Sequence, residues 1–220
     1  MKKIIIIGAG GHAAELRDYV NHNNSARPED QIEVVGFIDD EEKNYHHYGF
    51  SEPFLGSIQD HQVRKDVFYL MGIANLAYRK PLIEKFMDAG AQFTGLIHPT
   101  AIISPSCEIG EGTVISHNAS VGAKAKIGRF NMLNSRCTIG HDTQMGDYNF
   151  ISPQVAISGN TIIGDNNLIG TNSCTIPSMR IGNNNKIAAG MVIYKPVGDG
   201  ETVIFRHKER LVIRDQDLEA

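Results

Sequence analysis

The sequence contains no tryptophan and only three cysteines, at positions 107, 137 and 174. An odd number of cysteines without a closely spaced pair argues against a disulfide framework and against a zinc knuckle. Small buried thiols in a cytoplasmic protein are expected instead. No apolar run approaches the ~20 residues of a membrane span. The run Ile4–Ile7 after Met-Lys-Lys is too short for a signal peptide.

The sequence also lacks an excess of positive charge. It has 21 Lys and Arg against 25 Asp and Glu, for a net charge of −4 and a pI near 6.1. A general nucleic-acid-binding surface would require a basic patch, so no nucleic-acid partner is expected. The length of 220 residues allows one large domain or two modest ones.

The strongest positive feature is a six-residue repeat in residues 97–198. Sixteen of the seventeen positions spaced six apart from Ile97 to Ile193 are apolar, and glycine directly follows eight of them. A period of six fits neither an α-helix nor a hairpin sheet. It is typical of a β-helix, in which each hexad forms one flat face and one corner. The repeated aliphatic residue should point inward, and the glycine beside it should let the backbone turn the corner.

Residues 1–96 predict a separate small domain. Ile4–Ile7 reads as a strand buried on both faces, and it is followed by a glycine-rich turn and a helix through Val20. Further strands are predicted at 32–38 and 67–71, with a helix at 77–89. This alternation predicts a small Rossmann-like parallel α/β domain in front of the β-helix, and residues 199–220 form a C-terminal tail.

The glycine-rich turn, Gly8-x-Gly10-x-x-Ala13, places backbone N–H groups at a helix N-terminus, where a phosphate can bind. The motif is weak alone, since it fits NAD, another nucleotide or mere helix–strand packing. About 96 residues provide only half of a dinucleotide fold, which favours a nucleotide-sugar diphosphate. His12 is either a ligand contact or a helix-cap donor. His46 and His47 lie in a polar stretch, 44–48, predicted as a solvated loop without function.

The β-helix carries one chemically distinctive corner, His141-Asp142. A carboxylate beside an imidazole can fix its tautomer and raise its basicity, as a general base near neutral pH requires. The alternative is a solvated corner histidine. Cys137 occupies an inward hexad position and is rejected as a nucleophile.

A metal site is not expected in the repeat. Three hexads form one coil, so residues eighteen apart share a column. The column neighbours of His141 are Ala123 and Gly159, and those of His117 are Pro99 and Ser135. These residues supply no histidine triad within one subunit.

Together, the hexapeptide repeat and the front Gly-x-Gly-Gly-His motif resemble the sialic-acid O-acetyltransferase family of left-handed β-helix acyltransferases. That family includes the bacterial nucleotide-amino-sugar N-acetyltransferases of the bacillosamine and perosamine type. The resemblance implies a cytoplasmic homotrimer that uses acetyl-CoA, with active sites between subunits. It further implies acetylation of a nucleotide-linked amino sugar in polysaccharide biosynthesis.

The resemblance also implies roles for individual residues. His141 corresponds to the catalytic base, Asp142 to its acidic partner and Asn134 to an asparagine at the acceptor amine. The residues implied at the nucleotide-sugar site are Gly8, Gly10, Gly11, His12, Asp39, Asp40, Gly56 and Asn75. Those implied along the coenzyme groove are Phe150, Gly159, Gly170, Thr171 and Ala189. No metal is implied.

Three other functions remain open from the sequence. The same histidine can activate a hydroxyl, which gives an O-acetyltransferase acting on sialic acid or another sugar. A non-catalytic β-helix with a nucleotide sensor in front is an alternative of another class. An NAD-linked oxidoreductase rests only on the glycine motif and lacks a second nucleotide-binding half.

Overall fold

The computed structural model describes residues 1–205. The front domain consists, in chain order, of β1 (Lys2–Ile7), α1 (Gly11–Ala26), β2 (Ile32–Ile38), α2 (Glu42–Tyr48), β3 (Phe68–Met71), α3 (Leu76–Asp88) and β4 (Gln92–Phe93). The four strands form one parallel sheet in the order β2-β1-β3-β4. The predicted small α/β domain is confirmed. Among residues 1–205, no helix has the length and apolar character to cross a membrane.

β1 explains why the sheet has helices on both sides. Its four isoleucines, Ile4–Ile7, are all buried, and they divide between two core clusters. Ile4 and Ile6 pack with α1, whereas Ile5 and Ile7 pack with the side of the sheet that carries α3. Alternate side chains of a strand point to opposite faces, so a strand covered on both faces needs a continuous apolar run.

The second half is a parallel β-helix of two-residue strands. Within residues 96–203 these are β5 (Leu96–Ile97), β6 (Ile102–Ile103), β7 (Glu108–Ile109), β8 (Val114–Ile115), β9 (Ser120–Val121), β10 (Lys126–Ile127), β11 (Met132–Leu133), β12 (Thr138–Ile139), β13 (Gln144–Met145), β14 (Phe150–Ile151), β15 (Ala156–Ile157), β16 (Ile162–Ile163), β17 (Leu168–Ile169), β18 (Cys174–Thr175), β19 (Arg180–Ile181), β20 (Lys186–Ile187), β21 (Val192–Ile193) and β22 (Thr202–Val203). β22 pairs with β20, so the strand ladder continues past residue 198.

The strands from β5 to β21 stack into three flat faces, because each pairs with a strand eighteen residues away, as Met132 does with Phe150. β22 joins the first face across sixteen residues, with Lys186 opposite Thr202. The first face contains β5 and β8 and continues through β22. The second face contains β6 and β9 and continues through β21, and the third contains β7 and β10 and continues through β19. The repeated aliphatic residues point into one shared core. This is the β-helix that the period of six predicted, in the left-handed form that the resemblance implied.

The corner geometry shows why glycine follows the inward residue. The glycines after the inward residues do not have positive φ angles. A Cβ added at Gly140 would lie 2.4 Å from the backbone nitrogen of Gly159 in the next coil, so glycine is needed there for close approach. The left-handed backbone falls two residues later, at non-glycine residues spaced six apart: Asn118, Lys124, Phe130, Arg136, Asp142, Tyr148, Gln154, Asn160, Asn166, Asn172, Ser178 and Asn184.

A column of asparagines binds successive coils together inside the β-helix. The side-chain oxygens of Asn131, Asn149 and Asn167 accept hydrogen bonds from the backbone N–H groups of Asn149, Asn167 and Asn185, at 2.8–2.9 Å. All four residues are buried. Their side chains therefore satisfy backbone donors that would otherwise be buried without partners.

Asn167→Ala is expected to lower the free energy of unfolding by about 2 kcal/mol, because the Asn185 N–H loses its acceptor inside the core. Urea denaturation measures the change. Lys186→Ala is the control, since that side chain is exposed on a neighbouring strand and its loss should change stability by no more than about 0.5 kcal/mol. Equal effects of the two substitutions would contradict a structural role for the column.

The front domain packs on the first face of the β-helix. The outward residues of that face in four successive coils are Leu96, Val114, Met132 and Phe150, and they join the core that includes residues of α1. The side of the sheet that carries α3 contributes to a core with Phe130 and Tyr148. This face is therefore covered over four coils, and α1 lies near the corner between the first and second faces.

Candidate functional site

His141 and Asp142 form a hydrogen-bonded pair at the corner between the second and third faces. β12 ends at Ile139, and Asp142 adopts the left-handed backbone of the corner with a φ of 56°. Its N–H donates to the carbonyl of Ala123 in the coil below, at 2.9 Å. The local backbone is therefore fixed by the stacking of the coils, and it presents both side chains outward.

The geometry of this pair suits proton transfer. His141 Nδ1 lies 2.8 Å from Asp142 Oδ2, so an Nδ1 proton is shared with the carboxylate and Nε2 keeps its lone pair. A Cβ at Gly159 would lie 2.6 Å from that Nε2 atom, so the missing side chain makes room for the ring. The His141 and Asp142 side chains are 63% and 46% exposed, and one chain alone therefore does not exclude water from them.

Asn134 lies on a different corner from His141. It follows β11 at the end of the first face, is buried, and donates from Nδ2 to the carbonyl of Ile151 at 2.9 Å. The whole second face separates it from His141 in the same chain. The structure therefore does not bring these two predicted catalytic residues together within one subunit.

The residues predicted along the coenzyme groove divide between the same two corners. Gly159 lies on the His141 corner, one coil further along. Gly170, Thr171 and Ala189 lie on the Asn134 corner, and the Gly190 N–H beside Ala189 donates to the Thr171 carbonyl. Phe150 is on the first face, where it packs against the core shared with the front domain. Its apolar side chain is explained by that packing without a coenzyme.

The glycine-rich turn forms one wall of a cavity of about 560 Å³ at the carboxyl ends of the front strands. A Cβ at Gly10, the residue before α1, would meet no atom within 4 Å, so the loop faces open space. The Nε2 atom of His12 is buried and has no partner among residues 1–205. The predicted residues that line this cavity are Gly8, Gly10, Gly11, His12, Asp39, Asp40 and Asn75.

The two predicted acids after the second strand differ in their hydrogen bonds. The Asp39 carboxylate accepts from the Ala9 N–H at 2.7 Å and from the Glu41 N–H at 2.8 Å, so both of its oxygens hold the loop in place. Asp40 accepts from the Gln59 N–H through one oxygen, at 3.1 Å. Gly56 is not part of the cavity wall, and its carbonyl accepts from the Asp39 N–H.

The cavity also has an apolar side that sequence reasoning missed. Ile58, Ile73, Tyr78 and Leu82 line it, and Tyr78 is largely exposed. Tyr78 and Leu82 are four residues apart on α3, which places both on one face of that helix. The four-residue spacing of Tyr78 and Leu82, directly after the third predicted strand, is the sequence signal that indicates this apolar side.

Two expectations about histidines were wrong. Residues 44–48, with His46 and His47, lie within α2 and not in a loop. A histidine cluster does exist within one chain, because His98 of the first coil lies against both His22 of α1 and His117 of the second coil. It combines both domains, so columns of the repeat alone did not reveal it. Within the described residues, no group of His, Cys, Asp and Glu has the geometry of a metal site.

Cys137 is buried in the β-helix, and burial raises the pKa of its thiol to about 12. A thiol with that pKa is protonated near neutral pH and is a poor nucleophile. This agrees with the rejection of Cys137 on its inward position.

Residues 3–86 match a family model described as the PglD N-terminal domain. The front segment is similar to that domain. The chain is also 34% identical over 119 residues to a UDP-N-acetylbacillosamine N-acetyltransferase of Bacillus subtilis (strain 168), a match that covers 52% of this chain and 51% of the relative. The aligned part therefore spans only about half the length of that relative.

Solved structures match both the PglD-type segment and the β-helix. The acetyltransferase domain of PglB from Neisseria gonorrhoeae FA1090 is 26% identical with a TM-score of 0.79, over 92% of this chain and 96% of that one. The same domain has been solved in complex with acetyl coenzyme A. WeeI from Acinetobacter baumannii AYE is 26% identical with a TM-score of 0.77, over 93% and 97%. The predicted resemblance and fold are confirmed.

Proposed function

We propose that this protein transfers the acetyl group of acetyl-CoA to the amino group of a nucleotide-linked amino sugar, with His141 as general base. The observation that carries the proposal is the 2.8 Å contact between His141 Nδ1 and Asp142 Oδ2. The names of the Bacillus subtilis relative and of the acetyl-CoA complex support the donor and the amine acceptor.

The reaction needs a base because an ammonium group cannot attack a thioester. The acceptor nitrogen attacks the thioester carbonyl, the C–S bond breaks as the tetrahedral intermediate collapses, and His141 Nε2 accepts the proton from nitrogen. Asp142 stabilises the imidazolium that forms. The departing coenzyme thiolate then takes a proton, so the products are the amide and the free thiol. The amine is itself the nucleophile, so no covalent enzyme intermediate is needed.

The acceptor nucleotide is assigned to the front cavity. Backbone N–H groups at the start of α1 can bind a diphosphate, and the unpartnered His12 Nε2 can donate to it. The exposed ring of Tyr78 and the nearby aliphatic side chains can cover the base. The sugar then extends from this cavity toward the β-helix.

The active site is proposed to lie between subunits of a homotrimer. In one chain, the His141 side chain is too exposed for a site that excludes water, and Asn134 lies at another corner. In a closed ring with threefold symmetry, the His141 corner of one subunit can meet the Asn134 corner of the next. The predicted coenzyme positions divide between these corners in the same way, so a coenzyme bound between them would contact both.

Gly10→Val is expected to raise the KM for the acceptor by about tenfold, since its methyl groups enter the space assigned to the diphosphate. The backbone at Gly10 is extended (φ −83°, ψ −169°), which valine adopts readily, so the fold should be kept. Steady-state kinetics measure the change, and Gly10→Ala should give a smaller one. The KM for acetyl-CoA is the internal control, and a parallel rise in it would contradict the assignment.

A thiol-release assay against UDP-, dTDP- and GDP-linked amino sugars tests the function directly. Acetyl-CoA-dependent release with at least one of them, and none with free sialic acid, is the expected result. Release with free sialic acid alone would replace the proposal with O-acetylation. If acetyl-CoA neither reacts nor raises the melting temperature, the non-catalytic scaffold is the better description.

A further inference from the structure

Four side chains join α1 of the front domain to the first two coils of the β-helix. His22 Nδ1 lies 2.9 Å from His98 Nε2, and the Tyr19 hydroxyl lies 3.1 Å from His117 Nδ1. The rings of Tyr19, His22 and His117 all contact the ring of His98, with centroid separations of 5.0–5.9 Å. We call these four residues the histidine latch.

The latch lies beside a cavity of about 390 Å³ between the two domains. From α1, the acids Glu15 and Asp18 line the same cavity. From the β-helix, Thr100 and Asn118 do so, and the Thr100 hydroxyl lies 2.9 Å from His98 Nδ1. The remaining charged neighbour is Arg27, which donates to the Ile97 carbonyl at 3.4 Å. The proposed reaction uses none of these groups.

The latch sets the direction of α1 along the stack. Tyr19 and His22 are three residues apart, or about 4.5 Å along a helix. Their partners lie in neighbouring coils, which are about 4.8 Å apart. α1 therefore runs roughly along the stack, with His22 at the first coil and Tyr19 at the second. Its N-terminus, with the glycine-rich turn, lies nine residues or about 13.5 Å beyond Tyr19, so it points along the stack past the third coil, which carries Asn134 and His141.

We propose that the histidine latch is a positioning device, which fixes the position of the glycine-rich turn along the stack of coils and releases it when the latch histidines become protonated. An imidazole–imidazole hydrogen bond requires one ring nitrogen with a free lone pair. When both His22 and His98 are protonated, that acceptor is lost and two positive charges face each other. The consequence for catalysis rests on the proposed function, whereas the release of α1 does not.

The charges around the latch determine the pH range. Burial, followed by the positive charges that His22, His117 and Arg27 bring, lowers the pKa of His98 below its ordinary value of 6.5. A histidine whose pKa is lowered in the docked state favours docking above pH 6.5, and this contribution is lost as the pH falls through the lowered pKa. Burial raises the pKa of Tyr19, so its hydroxyl stays protonated throughout.

The first test measures release without any substrate. Hydrogen–deuterium exchange of residues 11–26 in the full chain, corrected for intrinsic exchange rates, is compared near pH 7.5 and near pH 5.5. His98→Gln is the key variant, because the His98 Nδ1 atom accepts from the Thr100 N–H at 3.2 Å and leaves Nε2 as the donor to His22, and a glutamine amide can donate from nearly the same position without titrating. Wild-type α1 should exchange faster at the lower pH, and His98→Gln should not. Equal pH responses in the two proteins would overturn the latch.

The second test measures positioning through kinetics. The ratio of wild-type to His98→Gln kcat/KM for the acceptor cancels the shared titration of His141. This ratio should be constant above about pH 7 and fall below about pH 6. His98→Ala should lower kcat/KM about fivefold to tenfold at neutral pH, while the Kd of the free nucleoside diphosphate changes less than twofold. A flat ratio, or full activity in a folded His98→Ala protein, would overturn the positioning role.

The two tests separate failure of the latch from failure of the proposed reaction. If exchange of α1 responds to pH as expected and no amino sugar is acetylated, the latch stands and the reaction assignment falls. If acetylation occurs and exchange does not respond, the reverse holds. If His98→Ala does not fold, the comparison of the wild type with His98→Gln still decides the test.

Discussion

His141→Ala is expected to lower kcat by about 100-fold or more, the usual contribution of a general base. The variant lacks the imidazole that accepts the proton from the attacking nitrogen, and only the Asp142 carboxylate remains at this corner. Acetyl-CoA binding, measured by the rise in melting temperature, should be kept. The kcat is measured by thiol release, and a higher pH should recover part of the activity, since more amine then arrives deprotonated.

His46→Ala is the matched control for this substitution. His46 is also an exposed histidine paired with a carboxylate, Glu42, at 3.3 Å, but it lies on α2 in the front domain. Its replacement should leave kcat within twofold. The kcat of Asp142→Asn should lie between the kcat values of His141→Ala and His46→Ala, because the amide no longer stabilises an imidazolium. Full activity in His141→Ala would remove this residue from the mechanism.

Inactive Asn134→Ala and His141→Ala proteins are expected to regain activity when the two are assembled into mixed trimers. If a site takes Asn134 from one subunit and His141 from the next, random assembly of equal amounts leaves about one quarter of the sites with both residues intact. Activity should therefore return to about 25% of wild type after co-expression, measured on tandem-tagged, purified hybrids.

Two further measurements make the complementation result specific. The double variant co-expressed with itself should stay inactive, because none of its sites can be complete. Mixing wild type with the double variant should give about 25% of sites intact as well, since both contributing subunits must then be wild type. Sedimentation should report three chains per particle. No recovery in correctly assembled hybrids would place both residues in the same subunit's site or exclude Asn134 altogether.

The β-helix was predictable because its repeat is local. An inward aliphatic residue every six positions depends only on stacking between neighbouring coils, and those coils occupy fixed sequence distances. The corner glycines were predictable because there is no room for a Cβ beside the next coil, whereas the left-handed backbone two residues later was not predicted. Asparagine also tolerates that conformation, and Asn118, Asn160 and Asn166 recur at the observed left-handed positions. The six-residue spacing of these asparagines is a second sequence signal of the corner.

The arrangement between the domains was not predictable in this way. The contacts of Tyr19 with His117 and of His22 with His98 join residues 98 and 76 positions apart. Neither hydrophobic period determines how α1 lies on the first face, so the packing of Phe150 against the front-domain core was not predicted. The His141–Asp142 pair was predictable because the two residues are adjacent in the chain. The proposed role of Asn134 depends on the His141 corner of a neighbouring subunit, which a single chain does not bring to it.

The coils of the β-helix are stacked at a constant spacing. The histidine latch contacts the first two coils, and the His141 corner belongs to the third. In the proposed arrangement, the distance between the nucleotide site and the reacting atom therefore changes in whole coils, each about 4.8 Å. One added coil of eighteen residues between latch and corner would move the reacting site by roughly the width of a sugar ring. Substrate reach can therefore change only in discrete increments, even though every individual coil remains stable.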